Sequence, residues 1–101
     1  MKYKGYRVDY SLEKDLLLKE TRGIGFDQMK RAIKSGLILD DIAHKKYIHQ
    51  RVLVIKIKQY VYAVPYVQDK IRKVMFLKTI YPSRKLTQNY LKGGNNEKNK
   101  S

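Results

Sequence analysis

Residues 52–67 read VLVIKIKQYVYAVPYV, and this stretch decides the fold. Leu53, Ile55 and Ile57 alternate with lysines in its first half, and its second half is rich in valine and tyrosine, which are both features of β-strands. Only about two residues separate the halves, and a third strand-like run, KVMFLKTIY at residues 73–81, follows after another short gap. Because a parallel crossover needs about a dozen residues or more, these short gaps predict an antiparallel meander.

Pro65 lies inside the second of these strands. Proline has no backbone N–H and cannot donate a hydrogen bond to a neighbouring strand. The sequence therefore predicts either an edge position or a β-bulge at Pro65.

Two helices are predicted ahead of the meander. The alternating residues 6–10 predict a short edge strand, and Ser11 then offers an N-cap for a helix that ends at Gly23. A second helix begins at Asp27, places apolar residues at helical spacing on one face, and ends at Gly36. Both helices thus offer an apolar side to the sheet.

The remaining segments complete the predicted organisation. Residues 37–39 fit either a short strand or a linker, while Pro82 and Ser83 predict the start of a short last helix with a stop at Gly93. The fold class is α+β, with two N-terminal helices packed on a small antiparallel sheet and a short C-terminal helix. We expect a single domain over residues 1–92 and a disordered polar tail over residues 93–101.

The charge of the chain points to a polyanionic partner. Among 101 residues, Lys and Arg number 23 against nine Asp and Glu, a formal net charge of +14. Such an excess is typical of proteins that meet nucleic acid, an anionic membrane surface or an acidic protein. Between residues 42 and 96, twelve Lys and Arg face one acid, Asp69, so the basic field belongs to the sheet and the last helix. We expect RNA as the main partner.

Composition also bears on compartment and chemistry. Cysteine is absent, and neither a signal-like stretch nor an apolar run of membrane-spanning length is present, which predicts a cytoplasmic protein without a membrane partner. His44 and His49 are five apart in a predicted loop without accompanying carboxylates, and there is no glycine-rich phosphate loop. We therefore expect neither a metal nor another cofactor.

Cleavage of RNA needs no metal, because the 2′-OH is an internal nucleophile. A protein has only to orient it, offset charge on the phosphorane and protonate the leaving oxygen. Arginine, lysine, histidine and tyrosine can do this, and the second half of the chain holds all four.

Two segments resemble a known family. Residues 22–27, RGIGFD, precede a helix and resemble the KHGVSFEEA segment of the BrnT-type toxins of bacterial toxin–antitoxin pairs, and residues 76–85, FLKTIYPSRK, resemble that family's IRIISARKA end. The likeness covers about residues 6–92. It implies a RelE-like fold and a ribonuclease toxin that inhibits translation, held inactive by a cognate antitoxin. Ser83 and Arg84 match the family's Ser and Arg, whereas Arg22 stands where the family often has a titratable His.

These arguments assign roles to individual residues. As catalytic groups, Arg84 and Lys78 would offset phosphate and transition-state charge, Arg22 would position the substrate, and His49 or a strand tyrosine would transfer a proton. Ser83 fits an N-cap better than a nucleophile. The predicted RNA-binding residues are Arg51, Lys56, Lys58, Tyr62, Tyr81 and Lys85. The alternative reading is a non-enzymatic basic RNA-binding module, for which the same surface suffices.

Overall fold

The computed structural model describes residues 2–91. Its elements, in chain order, are β1 (Lys2–Tyr3), β2 (Tyr6–Tyr10), α1 (Leu12–Arg22), α2 (Phe26–Lys34), β3 (Ile38–Ala43), β4 (Gln50–Ile57), β5 (Tyr60–Asp69), β6 (Val74–Leu77), β7 (Tyr81–Pro82) and α3 (Arg84–Leu91). The α+β class and the three helices are as expected. The predicted stop at Gly93 and the polar tail over residues 93–101 lie outside the described residues.

The sheet is mixed, and this corrects the expectation of a purely antiparallel one. Within the described residues its strands lie in the order β1-β2-β6-β5-β4-β3, and β7 pairs with β5. The meander of β4, β5 and β6 is antiparallel as predicted, but β2 pairs with β6 in parallel. The two helices and strands β3 to β5 separate β2 from β6 in the chain, so no tight hairpin sets their relative direction. β2 is also not an edge strand, because β1 pairs with its other side.

Pro65 lies in a central strand: its pairing with Val52 of β4 is unbroken, and the pairing on the opposite side of β5 is interrupted, as its missing N–H predicts. Its carbonyl oxygen accepts a hydrogen bond from the backbone N–H of Lys78 at 2.8 Å, but Pro65 has no N–H to donate in return. β6 pairs with β5 only beyond Pro65, at residues 66–69, and β7 pairs with β5 before it, at residues 62–63. Residues 78–80 therefore leave the ladder opposite Pro65 and give β5 a local edge there.

The cap signals place both N-terminal helices. The Ser11 hydroxyl accepts from the N–H of Lys14 at 3.2 Å, and α1 ends at Gly23, whose φ of 69° is in the left-handed region that glycine adopts readily. Asp15 on α1 then accepts from the N–H of Phe26 at 2.7 Å, so one buried carboxylate binds the first turn of α2 to α1.

The core lies between these helices and one face of the sheet. Phe26, Met29 and Ile33 of α2 pack with alternate residues of the strands, among them Leu53 and Ile55 of β4. On the other face, α3 covers part of β5, where the N–H of Val61 donates to the buried Thr87 hydroxyl at 2.9 Å. No helix among the described residues is both long enough and apolar enough to cross a membrane.

Candidate nucleic-acid interface

One end of the sheet collects most of the predicted site residues. We call it the hairpin end: it consists of the β4–β5 turn at Lys58 and Gln59, the end of α1 at Arg22, and the β7–α3 junction at residues 81–85. Lys58 has a φ of 57°, a left-handed conformation that costs a non-glycine residue about 1 kcal/mol. The turn thus holds a lysine in a conformation where glycine would be easier, and strain of this kind is often found at functional sites.

Arg22 anchors the hairpin end from the side of α1. Its Nη1 donates a hydrogen bond to the carbonyl oxygen of Ile80, and its guanidinium carbon lies 5.0 Å from the centre of the Tyr81 ring. The Ile80 carbonyl belongs to the segment that leaves the ladder opposite Pro65. The proline break in β5 and the position of Arg22 are therefore linked, because the detour supplies the acceptor that fixes the guanidinium over the ring.

A cleft of about 360 Å³ opens beside Arg22. Gln28 of α2, Lys58, Tyr60 and Tyr62 are among the residues that line it. The rings of Tyr60 and Tyr62 meet edge to face with 5.6 Å between their centres. Two partly exposed rings beside a cation offer both a surface for stacking a base and a charge for its phosphate.

Further cations lie on the β5 side of the hairpin end. Lys56 lies opposite Val61 in the sheet, and the carbonyl oxygen of Val61 accepts from the N–H of Ser83 at 3.0 Å. Arg84 and Lys85 follow at once, exposed in the first turn of α3. Within residues 2–91, none of Arg22, Lys56, Lys58, Arg84 and Lys85 forms an ion pair; the described pairs involve Lys19, Arg31, Arg51 and Arg72. The positive charge here is therefore available to a ligand.

Ser83 serves as the cap that the sequence favours. Its hydroxyl oxygen accepts from the N–H of Leu86 at 3.1 Å, the bond that begins α3. This hydrogen bond engages the Ser83 hydroxyl in the backbone of the helix.

His49 and Arg51 lie elsewhere, at the opposite end of the sheet. We call this the loop end: it comprises residues 44–49 between β3 and β4, the β5–β6 turn at residues 70–73, and the β1–β2 turn at residues 4–5. Tyr62 lines the cleft at the hairpin end and Tyr66 a cleft at the loop end. Tyr66 comes four positions after Tyr62 on β5, which corresponds to a distance of roughly 13 Å along the strand. His49 and Arg22 therefore line separate clefts.

Two further cations predicted from the sequence, Arg51 and Lys78, lie outside the hairpin end and have different contacts. Arg51 donates from Nε to Asp41 Oδ1 at 3.1 Å and from Nη2 to the Asp41 carbonyl oxygen at 2.8 Å. The Asp41 carboxylate raises the pKa of Arg51 through this hydrogen bond. Lys78 lies between the ends: it follows β6, and its Nζ is 5.6 Å from the centre of the Phe76 ring.

The assignment from sequence missed Gln28, which the structure places in the cleft. The Gln28 Oε1 accepts from the N–H of Gly25 at 3.0 Å, which closes the start of α2. A glutamine three residues after a glycine at a helix start is the sequence pattern of such a cap, but the pattern alone does not indicate a place in a cleft.

The chemistry of the cleft follows from what lines it. Among its described lining residues are cationic, amide and phenol groups but no imidazole and no carboxylate. No group of three or more potential metal-ligating side chains occurs among residues 2–91. The arrangement suits phosphate neutralisation and base stacking, and its tyrosine hydroxyls can both donate and accept hydrogen bonds.

No protein-family model, curated protein or solved structure matches the chain.

Proposed function

We propose that this protein is the ribonuclease toxin of a type II toxin–antitoxin pair and that the hairpin end is its RNA-binding surface. One observation carries the proposal: the Arg22 guanidinium over Tyr81, next to a cleft with Lys58, Tyr60 and Tyr62, at an end of the sheet whose cations form no ion pair within residues 2–91. The succession of a strand, two helices, an antiparallel meander and a last helix supports a RelE-like arrangement.

In the proposed reaction the ribose 2′-oxygen attacks the adjacent phosphorus. The 2′-hydroxyl gives its proton to water as its oxygen bonds to phosphorus, the bond to the 5′-oxygen breaks, and the 5′-oxygen takes a proton from a tyrosine hydroxyl, which leaves a 2′,3′-cyclic phosphate. Arg84 and Lys58 offset the charge on the phosphorane, and Arg22 positions the strand against Tyr81. Lys78, between the two ends, would contact the backbone further along the strand.

The proton transfer falls to a tyrosine. The sequence left the choice between His49 and a strand tyrosine open, and His49 is exposed at the loop end. Tyr62 lines the cleft beside Arg22, and the Tyr81 ring lies against the Arg22 guanidinium. Geometry therefore favours a tyrosine, since a proton donor must come within hydrogen-bonding reach of the leaving oxygen.

The proposal includes partners and compartment. The substrate is cytoplasmic mRNA, either ribosome-associated or free, and a cognate antitoxin neutralises the toxin in the cell. Because this protein has a net charge of +14, an antitoxin with an acidic surface would be electrostatically complementary to it.

The test is induced expression of three forms: the wild type, Arg84→Ala and the matched control Arg72→Ala. Both arginines are exposed, but Arg72 lies at the loop end and its contact with Asp69 is long, at 3.9 Å. Growth and the integrity of total RNA are followed, and each variant is checked for folding by circular dichroism. We expect growth arrest and fragmented RNA with the wild type and with Arg72→Ala, and loss of both effects with Arg84→Ala. Intact RNA with the wild type would rule out the ribonuclease.

The second candidate function is a non-enzymatic RNA-binding module. The observation that favours it is the cleft itself, whose described lining holds no imidazole or carboxylate that would serve as a general base near pH 7. Binding and cleavage of a labelled single-stranded RNA by the purified protein separate the two functions. Binding that depends on Arg22 and Lys58, without cleavage, would establish the module.

A further inference from the structure

Two isoleucines project from neighbouring tips of the loop end. Ile48 is 89% exposed in the segment between β3 and β4, and Ile71 is 95% exposed in the β5–β6 turn. Gln50, at the start of β4, pairs with Val67, near the end of β5. The segment that leads into β4 and the turn that follows β5 therefore lie at the same end of the sheet. Isolated exposed isoleucines are ordinary, but two at adjacent tips of one end form a feature to explain.

Local hydrogen bonds hold both tips in shape. At the first tip, His44 Nδ1 accepts from the N–H groups of Lys46 and Tyr47 at 3.0 and 3.1 Å, and the Gln50 N–H donates to the Tyr47 carbonyl at 3.0 Å. At the second tip, Asp69 Oδ1 accepts from the N–H groups of Ile71 and Arg72 at 3.1 and 3.0 Å. The isoleucines are thus presented by closed turns.

The tips are surrounded by positive charge. The loop end carries Lys4, Lys45, Lys46, Lys70, Arg72 and Lys73. The acid on these turns is Asp69, which is engaged by Arg72 and by the turn. Tyr47, about half exposed, adds an amphipathic ring to the first tip.

A cationic cleft lies between the two tips. Ile48, His49, Arg51, Gln68 and Lys70 are among the residues that line its volume of about 330 Å³. Asp41 fixes Arg51 from behind, through Nε and Nη2, and Tyr66 donates to both oxygens of the same carboxylate at 2.8 Å. Within residues 2–91, Nη1 of Arg51 makes no hydrogen bond with the protein, so an oriented donor remains for an anion.

We propose that the loop end binds an anionic phospholipid surface, with a headgroup phosphate in the cleft of Arg51 and Lys70 and with Ile48 and Ile71 in the acyl boundary. A phosphate layer above an apolar layer matches cations around apolar tips. RNA gives an isoleucine no ring to stack with, and a protein segment would need an apolar groove, whereas the cleft between the tips is polar.

Binding to a membrane surface would be independent of RNA cleavage and differs from the expectation of no membrane partner. The absence of a long apolar run bears only on spanning segments. A peripheral contact with a membrane surface needs no such run, because Ile48, Ile71 and the cations of the loop end come from separate turns.

The test uses the full-length protein, freed of RNA, in co-sedimentation with phosphatidylcholine vesicles that contain or lack phosphatidylglycerol. The wild type is compared with the double variant Ile48→Ser, Ile71→Ser and with the control Leu12→Ser, Leu16→Ser, which removes two leucines that are 72% and 64% exposed on α1. We expect binding to the anionic vesicles, a loss of roughly tenfold in affinity for the isoleucine variant, and no change for the leucine control.

Each other outcome overturns the proposal. Equal binding of the isoleucine variant and the wild type would mean attraction by net charge alone. Full competition by soluble glycerol phosphate would mean a site for free phosphate without insertion. If the isoleucine variant bound vesicles normally but lost an acidic protein partner, the loop end would be a protein interface. RNA binding is measured in parallel, and we expect it to be unchanged in the isoleucine variant. A failure of vesicle binding can therefore be distinguished from a failure of RNA binding at the hairpin end.

Discussion

The hairpin end and the loop end are both rich in cations, but they hold these cations differently. At the loop end, Arg51 and Arg72 are paired with Asp41 and Asp69, the lysines form no ion pair within residues 2–91, and exposed isoleucines stand at the tips. At the hairpin end, none of the described cations has an ion-pair partner, and tyrosine rings lie beside them. A count of lysines and arginines describes both ends only as basic. The difference teaches that the side chains around the cations, aromatic at one end and aliphatic at the other, indicate what a basic surface binds.

The largest effect is expected at Arg22. Arg22→Ala removes the hydrogen bond to Ile80 and the contact with the Tyr81 ring. We expect RNA cleavage to fall roughly 100-fold, since the loss of a group that positions the substrate has effects of that order. Arg22→Lys keeps the charge but not the planar stack and should restore only part of the rate. Single-turnover cleavage of a labelled RNA measures both, with Lys70→Ala at the loop end as control; an equal loss in the control would mean that the ends are not distinct.

A moderate effect on stability is expected at Tyr66 of the loop end. Tyr66→Phe removes the buried hydroxyl that donates to Asp41, which should lower the free energy of unfolding by about 1 to 2 kcal/mol in urea titrations. Tyr90→Phe is the control: it removes a similar bond to Asp40, but an exposed one, and should cost less. Equal losses for the two variants would contradict this reading.

The same residue predicts a pH dependence. Burial, and then the hydrogen bond to Asp41, raise the pKa of Tyr66 above the ordinary value of 10.0. A raised pKa means that the stabilisation is fully present below pH 10.0 and is lost as the pH rises through the higher folded value, because the unfolded chain ionises first. Unfolding curves between neutral and strongly alkaline pH should show wild type losing more stability than Tyr66→Phe.

A smaller effect is expected at Ser83. Ser83→Ala removes the cap of α3 and should cost about 1 kcal/mol, while Ser83→Asn, which also caps, should cost less. Neither variant should abolish RNA cleavage, since the hydroxyl serves the helix. Thermal unfolding and the cleavage assay decide between the roles: a stable but inactive Ser83→Asn would restore Ser83 as a nucleophile.

The smallest effects come from a matched pair of turn lysines. Lys58 at the hairpin end and Lys73 at the loop end have φ values of 57° and 58°. Glycine at either position relieves the left-handed strain and should raise stability by about 0.5 to 1 kcal/mol. Only Lys58→Gly should weaken RNA binding, with a salt dependence reduced by about 0.7 for the one lost phosphate contact. Equal RNA affinities of the two variants would remove Lys58 from the interface.

Much of the fold could be predicted because its signals are local. The Ser11 cap, the Gly23 stop and the break at Pro65 depend on properties of single residues, and the structure confirms each. The parallel pairing of β2 with β6 could not be predicted in this way. It depends on how two helices return the chain across the sheet, and no residue near β2 or β6 encodes that direction.

The site could be predicted only in part, for a related reason. Sequence singled out Tyr62, Tyr81 and Arg84 because charge and aromaticity are visible in composition, and it singled out Arg22 through the resemblance to a toxin family. The grouping of Arg22 with Tyr81 depends on the detour of residues 78–80, and the pairing of Arg51 with Asp41 depends on β3, a segment that the sequence left open as strand or linker. Contacts between distant segments are set by register, and register follows only once every strand is placed.

The most direct measurement is an NMR titration of the isotope-labelled protein with a short single-stranded RNA that carries a 2′-O-methyl group at each ribose to prevent cleavage. We predict that the largest chemical-shift changes fall on Arg22, Lys58, Tyr60, Tyr62 and Tyr81, with small changes at His49 and Arg51. Shifts that centre instead on residues 44–51 and 66–73, or no saturable shifts at all, would contradict the hairpin end as the RNA-binding surface.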